Sequence, residues 1–342
     1  MELYEMIEKL CSSVGVSGLE TAESTAVAEE LLRPFGKTQV TPFGSVLCEV
    51  VPPREGRPHI MLNAHIDQIG MCVHYIDEKG FLKVSSCGGI DRRLLMAAQV
   101  TVHGKKKLKG IISSVPPHLQ EGEAQNQKVT EVAVDLGMTK EQVEELVSLG
   151  DRVTIDGEVF RLRGNQVTAP ALDDRAGCAA VIRAVELLQG KELDCGLSVA
   201  LSSQEENSGL GASTAAWQLA PSHALITDVS FAYTPDIKKH ECGEMGKGAM
   251  VGFGATLNDA MSRKLMELAA REGISTQVEV TGAKTGTDAD NIARTGKGVV
   301  VGLLSIPLKY MHTPVETADL TDVEAVARLM AAYVEEMGGE KK

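Results

Sequence analysis

Two adjacent glutamates, Glu205 and Glu206, follow the apolar stretch "LSVALSS" and precede a glycine-rich turn. Burying an unpaired carboxylate costs several kcal/mol or forces it to take up a proton, so strand interiors exclude such pairs. The pair therefore marks either a solvated loop or a site that uses two carboxylates for different tasks.

Other polar side chains also follow apolar stretches that read as strands. In an open parallel sheet, ligand sites form at the carboxyl ends of the strands, so we expect these side chains to meet. Each has an ordinary alternative: a structural His–Asp pair, a helix cap or a loop histidine. The candidates are His65 and Asp67 in "HIMLNAHID", Asp173 and Asp174 in "TAPALDDRAG", Asp228 in "HALITDV" and His312 in "LLSIPLKYMHTP".

Together these side chains form a donor set of imidazoles and carboxylates. Such nitrogen and oxygen donors suit Zn²⁺, Co²⁺ or Mn²⁺. They are too many for one four-coordinate ion with an open position, and they suit two ions that share a carboxylate. In the His-x-Asp pair, a carboxylate beside the histidine would fix the imidazole tautomer. The sequence therefore predicts a dinuclear metal centre.

The elements that must position this set alternate between strands and helices. The alternation predicts an α/β fold with a mostly parallel sheet flanked by helices. Between about residues 71 and 165 the pattern changes to short strands separated by glycine turns, which is typical of a small β-barrel. We therefore expect a catalytic α/β domain, residues 1–69 plus 166–342, interrupted by a β-rich domain over 70–165.

Local signals add detail to this outline. Ser17 and Glu20 have the spacing of a capping box and predict the start of the second helix, and Thr139 and Gln142 have the same spacing before "KEQVEELVSLG". The stretch "EGEAQNQK" (121–128) and the tail "GGEKK" are polar and of low complexity.

Composition narrows the class of protein. The net charge of −13 argues against nucleic acid or an anionic membrane as a partner. The seven cysteines are scattered without a C-x-x-C pair, which favours a reducing compartment over a disulfide framework. The N-terminus lacks the pattern of a signal peptide, and no apolar run reaches the length of a membrane span. We expect a cytoplasmic protein.

The motifs resemble those of the tetrahedral (TET) aminopeptidases, the glutamyl or deblocking aminopeptidases that are dinuclear metallopeptidases. The resemblance covers nearly the whole chain. The motifs that carry it are "AHIDQIG", "GGIDRRLL", "GIISSVPPH", "ALDDRAG", "SSQEENSGLGA", "ITDVSFA", "TGTDADNIA" and "IPLKYMHTPVE".

The resemblance implies a role for each candidate. It implies that His65, Asp173 and Asp228 hold one metal, that Glu206 and His312 hold the other, and that Asp173 bridges both. Asp67 would orient His65, and Glu205 would be the general base that takes a proton from a water activated by two divalent ions, zinc or cobalt first and manganese as a further candidate. The residues involved are His65, Asp67, Asp173, Glu205, Glu206, Asp228 and His312.

The same resemblance implies a substrate and an assembly. The substrates would be peptides with a free N-terminus, cleaved at the first peptide bond. The inserted domain would make dimer contacts, and dimers would build a hollow dodecamer. The preferred N-terminal residue is left open by the sequence. Lys284 and Lys309, in loops near the predicted site, are expected to be solvated, and the alternative is that they attract an acidic side chain.

Three other functions stay open at this point. A dimetal amidohydrolase, acting as a deacylase or dipeptidase, would use the same ligands. A glycoside hydrolase also uses paired carboxylates, but it needs them on either side of the bond and needs no histidine ligands. A non-catalytic binding protein with this fold would be expected to lack Glu205 or a ligand, and this chain keeps them all.

Overall fold

The computed structural model of the protein describes residues 1–115, 118 and 128–339. The polar stretch at 121–128 lies outside the described residues except for Lys128. The same holds for Pro116 and Pro117 of the "GIISSVPPH" motif and for the last three residues of the tail.

Short strands and helices alternate along the described chain. The strands are β1 Lys37–Val40, β2 Val46–Val51, β3 His59–His65, β4 Gly70–Ile76, β5 Leu82–Cys87, β6 Gln99–His103, β7 Lys107–Ile112, β8 Ala133–Asp135, β9 Arg152–Ile155, β10 Phe160–Arg161, β11 Gln166–Ala169, β12 Gly196–Ser202, β13 His223–Phe231, β14 Ala249–Gly254, β15 Thr276–Thr281, β16 Val300–Lys309 and β17 Glu316–Asp319. The α-helices are α1 Leu3–Cys11, α2 Ser24–Leu32, α3 Lys140–Leu146, α4 Leu172–Leu187, α5 Leu210–Leu219, α6 Asp259–Glu272, α7 Asp288–Ala293 and α8 Leu320–Gly338.

Eleven of the strands form one mixed sheet in the order β1-β2-β12-β3-β13-β16-β17-β11-β10, with β14 and β15 branching from β16. Its centre is parallel: β12, β3, β13 and β16 run in one direction. The strands on both sides of this centre pair antiparallel, and β14 and β15 are parallel to each other. Strands β3 and β12 are buried along their whole length because helices cover both faces of the sheet.

The helices divide between the two faces. Helices α1, α2, α4, α6 and α8 pack on one face over the larger apolar core. Helices α5 and α7 pack on the other face, over a smaller core that includes Ala215, Ile226 and Ile292. The parallel centre of the sheet is therefore held between two helical layers, and its carboxyl end is left as a single exposed edge for ligands.

Strands β4 to β9 close into a separate barrel in the order β4-β5-β8-β7-β6-β9, with a core of its own that includes Met71, Val102 and Val153. The predicted α/β fold with an inserted small barrel is thus confirmed. The short β10 pairs with β11 in the large sheet rather than in the barrel. The exact division at residues 69 and 166, and the role of the barrel in dimerisation, stay predictions.

One of the two predicted capping boxes is wrong. Helix α2 begins at Ser24, after a 3₁₀ turn over Glu20–Ala22, and Ser17 does not cap it. Glu20 is buried and accepts from the backbone N–H groups of Gly18 and Gln204, both at 3.0 Å, so it serves a tertiary contact instead. The box formed by Thr139 and Gln142 is confirmed at α3. Among the described residues, the helices are too short or too polar to cross a bilayer.

Candidate metal centre

The candidate side chains meet at the carboxyl edge of the parallel strands. His65 ends β3 beside Ser202, which ends β12, and the paired glutamates lie in the turn that follows. Asp228 does not end its strand as predicted, because β13 continues to Phe231. It lies two positions beyond Ile226, the last residue of β13 that pairs with β3, and so reaches the level of His65.

Asp173 lies between the two histidines. Its Oδ1 is 3.1 Å from Nε2 of His65, and its Oδ2 is 3.3 Å from Nε2 of His312. Asp228 Oδ1 is 3.9 Å from the same atom of His65, and Glu206 Oε2 is 3.6 Å from that of His312. The donors therefore form two triads that share Asp173, and within each triad the donor atoms lie within 4.8 Å of one another.

The charge balance of this cluster calls for cations. Among the described residues, no lysine or arginine forms an ion pair with Asp173, Glu206 or Asp228. Burial raises the pKa of Glu206 to about 10 and that of Asp228 well above its usual range, which is the response of carboxylates that lack a compensating charge. Nitrogen and oxygen donors in two adjacent triads fit two divalent ions of the zinc, cobalt or manganese type.

The histidines compensate only part of this charge. Burial opposes the charged form of Asp173, yet hydrogen bonds from His312 and His65 hold the pKa of that carboxyl well below its usual range. Burial likewise opposes protonation of His65, but Asp173 and Asp67 outweigh it and raise the pKa of the imidazole well above its usual range.

Asp67 is fully buried and connects the histidine to the paired glutamates. Its backbone oxygen and its Oδ1 lie 3.2 and 3.4 Å from Nδ1 of His65. Its Oδ1 accepts from the backbone N–H of Glu205 at 2.9 Å, and its Oδ2 accepts from that of Glu206 at 3.2 Å. One carboxylate therefore fixes the ring of His65, leaving Nε2 toward the centre, and holds the turn that presents both glutamates.

Glu205 lies beside the triads. Its Oε2 is 3.9 Å from Nε2 of His65, and burial raises the pKa of its carboxyl to about 8. Gln204, just before it, has a left-handed φ of 60° and is held by Glu20 through its N–H group. The backbone reversal at Gln204 turns the chain so that both neighbouring glutamates face the site, which an extended strand would not allow.

Asp174 points away from the triads. Its carboxylate accepts from the N–H groups of His65 at 3.3 Å and Gly177 at 3.0 Å, so it caps the start of the regular part of α4 and steadies β3. Two consecutive aspartates thus divide the tasks: Asp173 faces the centre and Asp174 supports the backbone behind it.

Two further buried carboxylates at this edge were not among the residues that the sequence predicted for the site. Glu316 is buried and accepts from the N–H groups of Asp173 at 3.0 Å and His312 at 2.7 Å, so it positions one candidate ligand from each triad. Asp288 is buried at the start of α7, and it accepts from the hydroxyl of Ser202. Both lie inside motifs quoted above, but no local pattern around them signals a tertiary contact.

The barrel contributes a wall of the site. Gly88 donates its N–H to the side chain of Asn207 at 3.3 Å, and Gly89 lies against His312. A Cβ at position 89 would be 2.9 Å from Nδ1 of that ring, and one at position 88 would be 3.2 Å from Oε2 of Glu206. Only glycine lets the loop after β5 approach the candidate ligands this closely.

The comparisons with known proteins agree with this architecture. The M42 glutamyl aminopeptidase family profile matches residues 44–329. A lysyl aminopeptidase of Pyrococcus furiosus is 32% identical, over 98% of this chain and 97% of that protein.

Two solved structures are similar throughout. An aminopeptidase from the archaeon Desulfurococcus kamchatkensis has a TM-score of 0.90 and 31% identity, over 98% of this chain and 94% of that one. The Pyrococcus horikoshii TET1 peptidase, described as able to assemble into a tetrahedron or a large octahedral shell, has a TM-score of 0.84 and 31% identity, over 98% of this chain and 100% of that one. The chain therefore belongs to the M42 glutamyl aminopeptidase family and is a peptidase.

Proposed function

We propose that this peptidase removes the N-terminal residue of peptides with the help of two divalent cations. His65, Asp173 and Asp228 would hold one cation, and Glu206 and His312 would hold the other, with Asp173 shared. The observation that carries the proposal is the position of Asp173, whose two carboxylate oxygens face one imidazole each, at 3.1 and 3.3 Å.

The cations, when bound, supply Lewis acidity toward the scissile carbonyl and lower the pKa of a water at the site. Glu205 is the group that accepts the proton from this water and returns it to the leaving amine. It suits that task because its carboxylate belongs to neither triad and lies 3.9 Å from Nε2 of His65. Asp67 holds the ligand His65 and the base Glu205 in place, because it contacts the ring of His65 and the backbone of Glu205 at the same time.

The surrounding acids also explain why the first residue would be removed. The cavity at this edge is lined by carboxylates, including Asp173, Glu205, Glu206 and Asp228. A substrate's free α-amino group would bind at this edge, next to a cation and these acidic side chains, so that the bond placed at the centre is the first peptide bond. A blocked N-terminus loses this contact.

Assembly and location are part of the proposal. We expect the barrel to make dimer contacts and the dimers to build a dodecamer, in line with the shells described for the similar Pyrococcus horikoshii peptidase. A cytoplasmic location is supported by the cysteines, all seven of which are free thiols. The size of the assembly is checked by light scattering on the purified protein, and a stable monomer would contradict this part.

The activity is tested with a panel of peptides and aminoacyl p-nitroanilides. We expect hydrolysis of the first bond, loss of it after chelation, and recovery with Co²⁺ or Zn²⁺. Glu205→Gln should lower kcat roughly 10²- to 10⁴-fold, the range for loss of a general base, without changing cation affinity. Glu144→Gln, an exposed glutamate on α3 with the same charge change, is the matched control and should behave as the wild type.

Other results would favour the alternatives. Cleavage of N-acylated substrates alone would indicate a dimetal deacylase, and cleavage of dipeptides alone would indicate a dipeptidase. Activity on β-glucans that survives chelation would indicate a glycoside hydrolase. Full activity of Glu205→Gln would contradict the proposed proton transfer.

The names of the relatives do not decide which N-terminal residue is preferred. The family is named for glutamyl aminopeptidases, whereas the Pyrococcus furiosus relative is a lysyl aminopeptidase. These names stand for opposite charges of the substrate side chain.

A further inference from the structure

A cavity of about 900 Å³ opens beside the two triads and extends between β13, β15 and α7. Asp173, Glu206 and Asp228 line one end of it. Its other end is formed by residues that the mechanism above does not use, and Glu279 of β15 is among them. A substrate whose first peptide bond lies at the triads would place its N-terminal side chain in this cavity.

Glu279 is held in place by two hydroxyl groups. Its Oε1 accepts from Ser230 at 2.5 Å and its Oε2 accepts from Ser305 at 2.6 Å. Ser305 is fully buried, and Glu279 itself is half-buried. The carboxylate is therefore fixed rather than free to swing into solvent, and each oxygen keeps a lone pair for another donor.

The position of this carboxylate relative to the centre follows from the strand register. Ser305 is the register partner of Asp228 on the neighbouring strand, about 5 Å away across the sheet. Ser230 is two residues beyond Asp228 on the same strand and therefore on the same face, roughly 7 Å along it. Glu279, bonded to both serines, thus lies within the reach of one long side chain from Asp228.

Part of the cavity wall next to Ser305 is apolar, because Met250 is its register partner on β14. Met250 and Leu303 line the cavity and are almost completely buried. An apolar floor that ends in a fixed carboxylate matches a side chain with an aliphatic stem and a cationic tip.

No built-in cation satisfies Glu279. Among the described residues, its polar partners are the two serine hydroxyls, and no lysine or arginine forms an ion pair with it. Lys284 and Arg294 also line the cavity, but both are exposed, and Arg294 is bonded to the side chain of Asn291. Lys309 lies in β16 and is not among the lining residues. The fixed charge inside the pocket is therefore negative.

We propose that the pocket ending in Glu279 binds the side chain of the substrate's first residue and selects lysine and arginine. This proposal rests on the proposed aminopeptidase function, because it places the substrate's first residue beside the triads. Glu279 acts as a specificity-determining residue. It contacts the substrate side chain and takes no part in proton transfer.

The test compares lysine with norleucine, which has the same aliphatic stem without the ε-ammonium group. With cobalt-loaded full-length protein, kcat/KM for lysyl p-nitroanilide should exceed that for the norleucyl compound roughly 10- to 100-fold, as for a hydrogen bond between charged groups. In Glu279→Gln, which keeps the shape and both serine partners, this ratio should fall to about 1, with the norleucyl value changed less than about threefold. Glu55→Gln, an exposed loop glutamate, is the matched control and should keep the wild-type ratio.

A binding measurement separates this proposal from the proposed function. Calorimetric titration with lysinol and norleucinol, which have no bond to hydrolyse, needs no turnover, and the wild type should bind lysinol at least roughly 10-fold more tightly, a difference that Glu279→Gln abolishes. If no peptide is hydrolysed but this difference is present, the aminopeptidase proposal fails and the pocket proposal stands. Equal binding of the two amino alcohols, a preference for glutamyl substrates, or an unchanged ratio in Glu279→Gln would each overturn the pocket proposal.

Discussion

Replacing Asp67 by asparagine tests whether one buried carboxylate holds both parts of the site. The amide keeps the size of the side chain but presents an NH₂ group to one of the backbone N–H groups of Glu205 and Glu206, where the carboxylate accepts at 2.9 and 3.2 Å. A lost hydrogen bond to a charged acceptor costs about 1.5–3 kcal/mol. The change also removes the charge beside Nδ1 of His65.

The expected loss of cation affinity is of the same size. Removing the partner of a metal-binding histidine lowers affinity roughly 10- to 100-fold. That corresponds to about 1.4–2.8 kcal/mol, in agreement with the cost of the lost hydrogen bond. Because the turn carrying Glu205 also shifts, we expect kcat to stay below the wild-type value even when cobalt is saturating.

The assay is a titration of the metal-free variant with Co²⁺, followed by absorbance and by hydrolysis of one p-nitroanilide. Asp77→Asn is the matched control, because Asp77 also accepts from two backbone N–H groups, at 2.8 and 2.9 Å, in a turn of the barrel. It should leave both readouts unchanged. Wild-type cobalt affinity and wild-type kcat in Asp67→Asn would refute the dual role. Recovery of full kcat at high cobalt would restrict Asp67 to orienting His65.

Two further predictions concern buried charges away from the triads. Burial raises the pKa of Glu20 to about 7, above its unfolded value of 4.5, so the folded state binds the extra proton and stability is lost as pH rises from about 4.5 to about 7. Glu20→Gln should remove this loss, which is worth up to about 3 kcal/mol of unfolding free energy. In thermal unfolding at pH 5 and pH 8, the stability of the variant relative to the wild type should therefore be higher at pH 8. The same stability difference at both pH values would contradict the prediction. Arg175 is buried and donates to the backbone carbonyls of Leu10, Ser13 and Ile66, so Arg175→Ala should lower the free energy of unfolding in urea by at least about 3 kcal/mol. The side chain of Arg183 is about one-third exposed, and Arg183→Ala should cost less than about 1 kcal/mol. Equal losses in the two variants would refute the structural role of Arg175.

The central strands and the position of the site could be predicted because both follow from strong local patterns. The stretch "HIMLNAHID" is mostly apolar, as expected of a strand buried on both faces, and it ends in polar residues. The carboxyl ends of parallel strands meet at one edge, so His65 and the glutamates after β12 are brought together by topology alone.

The supporting contacts could not be predicted, because they depend on tertiary distances rather than on spacing along the chain. Glu316 and Asp67 accept from backbone N–H groups of distant segments, and sequence periodicity carries no trace of such pairs. The capping-box interpretation of Ser17 and Glu20 failed for the same reason, since the turn at Gln204 takes the carboxylate of Glu20. The strand β14 carries only a weak strand pattern, because it is short and contains two glycines, "AMVGFG".

The loop after β5 makes the inserted barrel part of the candidate metal centre. Gly88 and Gly89 lie against Glu206 and His312, although they belong to the barrel and their neighbours belong to the large sheet. A variant that lacks the barrel would keep every donor atom of both triads. It would still lose the surface that packs against the triad of Asp173, Glu206 and His312 and limits its motion. If packing between subunits moved the barrel, the same contact would shift the side chains of that triad.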